Sequence, residues 1–300
     1  MNPDREPPER LSLEDYQRES ALTDLDADNN DPITPLLGLA GEVGSLIAEY
    51  KKKLRPDGVA HTGFEEVVKT ELGDILWYLA SVARRVNLSL NDVAVANLQK
   101  TRQRWLPPNP ERKVPLDDAF PETQRLPRQF TASFTTYRDA AGTLKARMQI
   151  DGEDVGDPID DNARDSDDYR FHDAFHLGYL AILGWSPILR ALLRRKRKDD
   201  PIVDNADDGA RACATEEAIA AMVFALSRPY DHFEGAERVD DRILETVRTM
   251  TAGLEVAHRT EAEWESAILA GFRIWRALRT TGEGVVRVDM DAALIEIVDG

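Results

Sequence analysis

The 300-residue chain has one cysteine, Cys213, and far fewer basic than acidic side chains. It also lacks any apolar run near the ~18 residues that read as a membrane span. A single thiol cannot form an intramolecular disulfide and suits a reducing cytoplasm. The opening MNPDREPPERLSLEDY has no apolar core for a signal peptide. With 38 Lys and Arg against 55 Asp and Glu, the formal net charge is −17. Such a surface repels DNA and anionic membranes, which argues against general polyanion binding. A polyphosphate would need divalent cations or a local basic pocket. A soluble cytoplasmic protein is expected, and its length exceeds the roughly 100–200 residues of one domain.

Residues 1–12 are polar and proline-containing, as in a mobile tail. Helices are predicted at about 13–24, 36–54, 64–86 and 90–105. They are separated by RPDG, a turn signal, and by NLSLND, where Ser89 can cap the next helix. PPNPERKVP has linker composition, and 107–125 is read as the connection to a second region, 126–300. There FTASFTTY and TLKARMQI alternate like strands, giving a β-meander over 130–159. VVRVDMD and ALIEIV form a hairpin at 285–298 that can complete its sheet. Between these β segments, helices are predicted at about 167–184, 187–198, 209–227, 239–258 and 261–280. The fold class is mainly α: a helical bundle, then an α+β region.

GLAGEVGSLIAEYKKKLR (38–55) and TELGDILWYLASVARR (70–85) read as amphipathic helices that carry acids among their apolar residues. Leu39, Val43, Leu46 and Ile47 mark one apolar stripe, and Leu72, Ile75, Leu76 and Leu79 the other. Residues seven apart nearly coincide on a helix face, so Glu42 and Glu49 project together; Glu71 and Asp74 form an i,i+3 pair. If the stripes pack, the acids meet at their edge. Carboxylates held so close repel one another unless protonated or bridged by a cation. An oxygen-only set favours a hard ion, Mg²⁺ or Mn²⁺. The same spacing also suits ordinary solvent-facing acids.

These two helices, with the flanks EDYQRESALTD and NLSLNDVAVANLQKTRQRW, resemble the MazG-like, all-α nucleoside triphosphate pyrophosphohydrolases over residues 13–106. That family carries ExxE on one helix and ExxD on the next. Glu42 matches the first glutamate of ExxE, and Glu71 and Asp74 match ExxD. Ser45 stands where the second glutamate is expected, and Glu49, one turn on, is a candidate substitute. The resemblance implies Mg²⁺-dependent hydrolysis of an NTP or dNTP to the monophosphate and pyrophosphate, in nucleotide-pool cleansing or depletion. Glu42, Glu71 and Asp74 are the implied catalytic residues, and these three with Glu49 the implied metal ligands. Lys53, Asn97, Lys100 and Arg104 are the candidates for holding phosphate oxygens. For Lys51–Lys53 a solvated helix end is the more direct reading. Trp77, Tyr78 and Trp105 read as core or interface residues. The family's habit also implies a homo-oligomer, dimer or tetramer. The loss at Ser45 opens a second reading, a nucleotide-binding sensor or assembly module without turnover.

In the second region, YRFHDAFHLGYLAILGW (169–185) places His172 and His176 at i,i+4 with Asp173 beside them. TEEAIAAMVFALS (215–227) sets Glu216 and Glu217 before an apolar run. Two facing helices with these residues can form a second metal site, for a transition ion. Surface histidines beside an exposed acidic turn are the simpler reading of the same spacing. TELGDILWYLA (70–80) and TEEAIAAMVFA (215–225) also align without gaps at Thr, Glu and the apolar pattern. Read as a repeat, they make the second region a diverged copy of the first and the chain an internal pseudo-dimer, with Ile219 in the place of Asp74. RRKRK (194–198) is the one strongly basic run; a solvated helix end accounts for it better than a nucleic-acid contact.

Overall fold

A computed structural model of the chain describes residues 11–26, 29–55, 63–106 and 115–298. Most of the expected tail, the turn after the first acid helix and positions 107–114 of the expected linker lie outside the described residues. Contacts divide the chain into two compact units, Met1–Arg102 and Gln103–Gly300.

The first unit is built from α1 (Leu13–Ser20), α2 (Ile33–Lys53), α3 (Phe64–Arg85) and α4 (Leu90–Trp105), whose last residues count with the second unit. Ser12 caps α1 by accepting from the Asp15 amide, and Ser89 caps α4 by accepting from the Asp92 amide at 3.3 Å. Helices α2 and α3 approach closely at Gly38, where a Cβ would lie 2.2 Å from the Tyr78 ring. Polar clamps hold the α1 segment to α3. Arg84 Nη1 donates to the Gln17 carbonyl (3.0 Å) and Ser20 Oγ (2.8 Å), and Trp77 Nε1 donates to Thr23 Oγ1 (2.8 Å). The apolar centre is small: Ala80, Ala83 and Leu90, with Tyr16 packed against them. The two predicted stripes are therefore only partly covered. Ile47 is 62 % exposed and Leu72 51 %.

The second unit opens with β1 (Gln129–Arg138), β2 (Leu144–Ile150) and β3 (Glu153–Asp154). Six helices follow: α5 (Asp173–Leu183), α6 (Pro187–Leu192), α7 (Pro201–Ala206), α8 (Ala210–Ser227), α9 (Asp241–Thr251) and α10 (Glu261–Thr281). The chain ends with β4 (Gly284–Asp289) and β5 (Leu294–Val298). The five strands form one sheet, β3-β2-β1-β4-β5, and the described pairs are antiparallel. The C-terminal hairpin docks on β1, with Ala132 opposite Val286. Alternation decides which face is buried: Phe130, Ala132 and Phe134 point into the core with Ala146, Met148 and Ile150 of β2 and Val286 and Val288 of β4. Helices α5 and α10 meet nearly backbone to backbone. A Cβ on Gly178 would lie 2.8 Å from the Ala267 carbonyl oxygen, so only glycine fits there. Thr260 and Glu263 start α10 with a capping box.

Several boundaries depart from the sequence reading, each for a local reason. Helix α6 ends at Leu192 rather than 198, because Arg194 turns the chain at a positive φ of 58°. That turn delivers Arg197 to Asp208 and Glu255, so RRKRK is not a solvated end; Arg197 is 1 % exposed. Helix α7, not predicted, starts at Asp200, which caps it, with Pro201 at its first position. The linker stretch is packed where it is described. Asp117 accepts from the Leu126 amide (2.8 Å) and pairs with Arg190 (2.9 Å), and Leu126 is buried. Among the described residues no helix is long and apolar enough to cross a membrane.

Candidate functional site

Helix α2 carries Glu42, Ser45 and Glu49, and α3 carries Glu71 and Asp74. The close approach of the two helices brings the acids together. Burial raises the Glu71 carboxyl above the ordinary range, and the charges of Glu42, Asp74 and Glu49 raise it further, with Glu42 within hydrogen-bonding reach. The Oε2 of Glu71 is buried and has no hydrogen-bond partner. A half-buried carboxylate faced by three others is costly as it stands, and a cation relieves that cost. Glu49 accepts from Lys52 Nζ, so part of its charge is already offset. Ser45 is exposed on α2. The donors are all oxygen and one is orphaned. These residues fit a hard divalent ion such as Mg²⁺ or Mn²⁺.

The basic candidates separate. Lys53 sits over the Phe64 ring, its Nζ 4.1 Å from the centroid. Asn97 and Lys100 are exposed on α4. Arg104 is not available to a phosphate. Its Nε donates to Asp241 Oδ1 (2.7 Å), its Nη1 to Glu265 Oε2 (2.9 Å) and its Nη2 to the Val239 carbonyl (3.2 Å), and it is 5 % exposed. The partner acids lie about 137 and 161 residues away in sequence, so helix spacing could not reveal them. A residue the sequence reading passed over is Asp24. Two arginines and Ser81 hold it at the start of the loop that leads to α2.

In the second unit His172, Asp173 and His176 cluster at the start of α5, with ligand-type atoms within 4.8 Å of one another. All three are buried, as is Glu216, which rules out the surface-histidine reading. Glu216 is not a free ligand. It accepts from His176 Nδ1 (2.8 Å), Ser186 Oγ (2.7 Å) and the Ile188 amide (2.9 Å). Glu217 is half-exposed, its Oε1 3.6 Å from His176 Nε2 and 3.8 Å from His172 Nε2. Burial opposes charge on His176, but the two glutamates hold its protonated form up to about 10 when no metal is present.

A helical unit that converges carboxylates from two neighbouring helices, followed by an α+β unit, defines a class: a two-part protein with an acid-lined candidate cation site in its first part. Residues 31–106 match the family described as the MazG nucleotide pyrophosphohydrolase domain, and residues 111–299 match the MazG C-terminal domain. The chain belongs to the MazG family. Its second region, which carried only a weak repeat signal in the sequence, thus has a family assignment of its own. The chain is also similar to the Gene 37 protein of Mycobacterium phage L5, 38 % identical over 69 residues. That match covers 23 % of this chain and 60 % of the phage protein.

Proposed function

We propose that the first unit hydrolyses a nucleoside triphosphate, NTP or dNTP, to the monophosphate and pyrophosphate. The observation that carries this reading is the orphaned, buried Oε2 of Glu71 facing Glu42, Asp74 and Glu49. The MazG pyrophosphohydrolase match over the same helices supports it. Glu42, Glu71, Asp74 and Glu49 would hold a Mg²⁺ or Mn²⁺ ion, which when bound offsets triphosphate charge and polarises the α-phosphate. Water attacks the α-phosphorus, the bond to the bridging oxygen breaks, and pyrophosphate leaves. Whichever of Glu71 and Glu42 is not fully engaged with the ion takes the water's proton. Asn97, Lys100 and Lys53 contact the remaining phosphate oxygens. The work is pool cleansing or depletion in the cytoplasm.

The unit completes itself as a homo-oligomer in this reading, because Leu37, Ile47 and Leu72 are more than half exposed while its own apolar centre is small. Ser45 favours one alternative, a nucleotide-binding module that no longer turns over. Pyrophosphate release from canonical and modified NTPs and dNTPs, with and without Mg²⁺, separates the two. Release that requires Mg²⁺ supports the enzyme. Tight nucleotide binding with no release supports the module.

A further inference from the structure

We infer that α5 and α8 of the second unit build a separate site for a first-row transition ion, from the imidazoles of His172 and His176 and the carboxylates of Asp173 and Glu217. This site stands or falls independently of turnover in the first unit.

The tautomers point to it. His172 Nδ1 lies 3.0 Å from the Tyr169 carbonyl oxygen, which can only accept, so Nδ1 carries the proton. His176 Nδ1 lies 2.8 Å from Glu216 Oε1, and Ser186 and the Ile188 amide donate to that same carboxylate. Nδ1 therefore donates here too. Both Nε2 atoms are left to face Glu217. A carboxylate or carbonyl on the outer nitrogen is the arrangement that orients metal-binding histidines.

His176 is 0 % exposed. Its Nε2 has no hydrogen-bond partner among the described residues, and the acidic atom nearest it is Glu217 Oε1. An imidazole nitrogen sealed away without a partner is costly unless something binds it. The separations from Glu217 Oε1 to the two Nε2 atoms, 3.6 and 3.8 Å, are too long for hydrogen bonds. They lie close to the ~3.4 Å between ligands of a tetrahedral ion with bonds of about 2.1 Å.

The surroundings are rigid on the protein side and open on the other. The Tyr169 ring stacks on His172 at 4.5 Å with planes 4° apart, and Gly178 fixes α5 against α10. Glu217 is half-exposed, so the fourth ligand faces solvent and can exchange with water. Two imidazoles make the set softer than the acids of the first unit. It should select Zn²⁺, Mn²⁺, Fe²⁺ or Co²⁺ over Mg²⁺. Glu216 is a positioning residue that holds His176 through Nδ1.

The test uses the full chain, stripped by chelation and then titrated with Zn²⁺ and, separately, Co²⁺ in excess Mg²⁺. Elemental analysis after desalting and the ligand-field absorption of Co²⁺ are the readouts. One transition ion per chain should be retained despite the Mg²⁺. His172→Gln and Glu217→Gln should each abolish retention, and Glu216→Gln should weaken it roughly 10–100-fold. The double variant Glu71→Gln/Asp74→Asn should retain the ion as the wild type does. Glu217 is exposed enough that its variant keeps the fold, which near-ultraviolet circular dichroism verifies. No retained ion in the wild type, or unchanged retention in Glu217→Gln and His172→Gln, overturns the assignment.

Discussion

Replacing Asp24 by Asn should destabilise the first unit out of proportion to the single charge removed. The Asp24 side chain is 5 % exposed and Arg85 is 4 %. Asp24 Oδ2 accepts from Arg85 Nη1 (2.8 Å), Arg84 Nη2 (2.9 Å) and Ser81 Oγ (2.7 Å), while Oδ1 accepts from the Asp26 amide at 3.2 Å. The Arg85 guanidinium, helped by Ser81 and Arg84, holds the carboxyl well below the ordinary range. An amide keeps the shape but loses the charge and turns N–H groups toward donors. Breaking one member of a buried ion pair costs about 3–5 kcal/mol. At 3 kcal/mol the opening equilibrium rises on the order of a hundredfold. The buried apolar cluster of the unit's described residues, Ala80, Ala83 and Leu90, has little to offset that. Amide hydrogen exchange along α1 and α3 at pH 7 reads this locally, without requiring two-state unfolding of the whole chain. The sign with pH is fixed. A carboxylate whose folded pKa is depressed contributes fully above its unfolded value and loses that contribution as pH falls below about 4. The gap between wild type and Asp24→Asn should therefore close in acid. A difference under about 0.5 kcal/mol at pH 7 would mean the clamp behaves as a surface pair, and the reasoning fails.

In pyrophosphate-release assays, Glu71→Gln and Asp74→Asn should each lower turnover by about two orders of magnitude or more while the metal-free fold survives; wild-type rates in either remove the site from consideration. Ser45→Glu should tighten Mg²⁺ binding and raise activity at limiting metal, and Glu49→Gln should be as damaging as Glu42→Gln if Glu49 substitutes for the missing acid. Calorimetric metal titrations would show both, and unchanged affinity in both counts against the arrangement assigned to α2. Arg104→Met should cost the second unit about 1.5–3 kcal/mol in urea denaturation by removing a buried charged donor from Glu265, which keeps Arg238 and the Val239 amide. Its KM for the nucleotide should stay near the wild-type value; a large rise would return Arg104 to the phosphate site.

The parts legible in sequence are those whose signal is local. Period 3.6 placed the four helices of the first unit, and period 2 in FTASFTTY placed β1. Glu42, Glu71 and Asp74 stood out through the resemblance of their two helices to the ExxE and ExxD helices of the MazG-like family, since spacing alone suits solvent-facing acids as well. The buried ion pairs of Arg104, Arg197 and Asp117 were not legible, because their partners lie far off in the sequence and a charged residue reads as exposed until that partner is known. The histidines of α5 looked like surface residues for the same reason. Their burial depends on Ser186, Ile188 and Glu216 arriving from α8 and the start of α6. The end of α6 depends on a backbone turn at Arg194, a position with no glycine to announce it.

The central claim is that the first unit cuts between the α- and β-phosphates with a divalent ion held by its acids. Phosphorus NMR of a nucleoside triphosphate incubated with the full chain and Mg²⁺ tests it most directly. The account predicts monophosphate and pyrophosphate in equal amounts, no diphosphate, no early orthophosphate, and no reaction once the metal is chelated. Nucleoside diphosphate with orthophosphate, or turnover that persists without divalent metal, would contradict it.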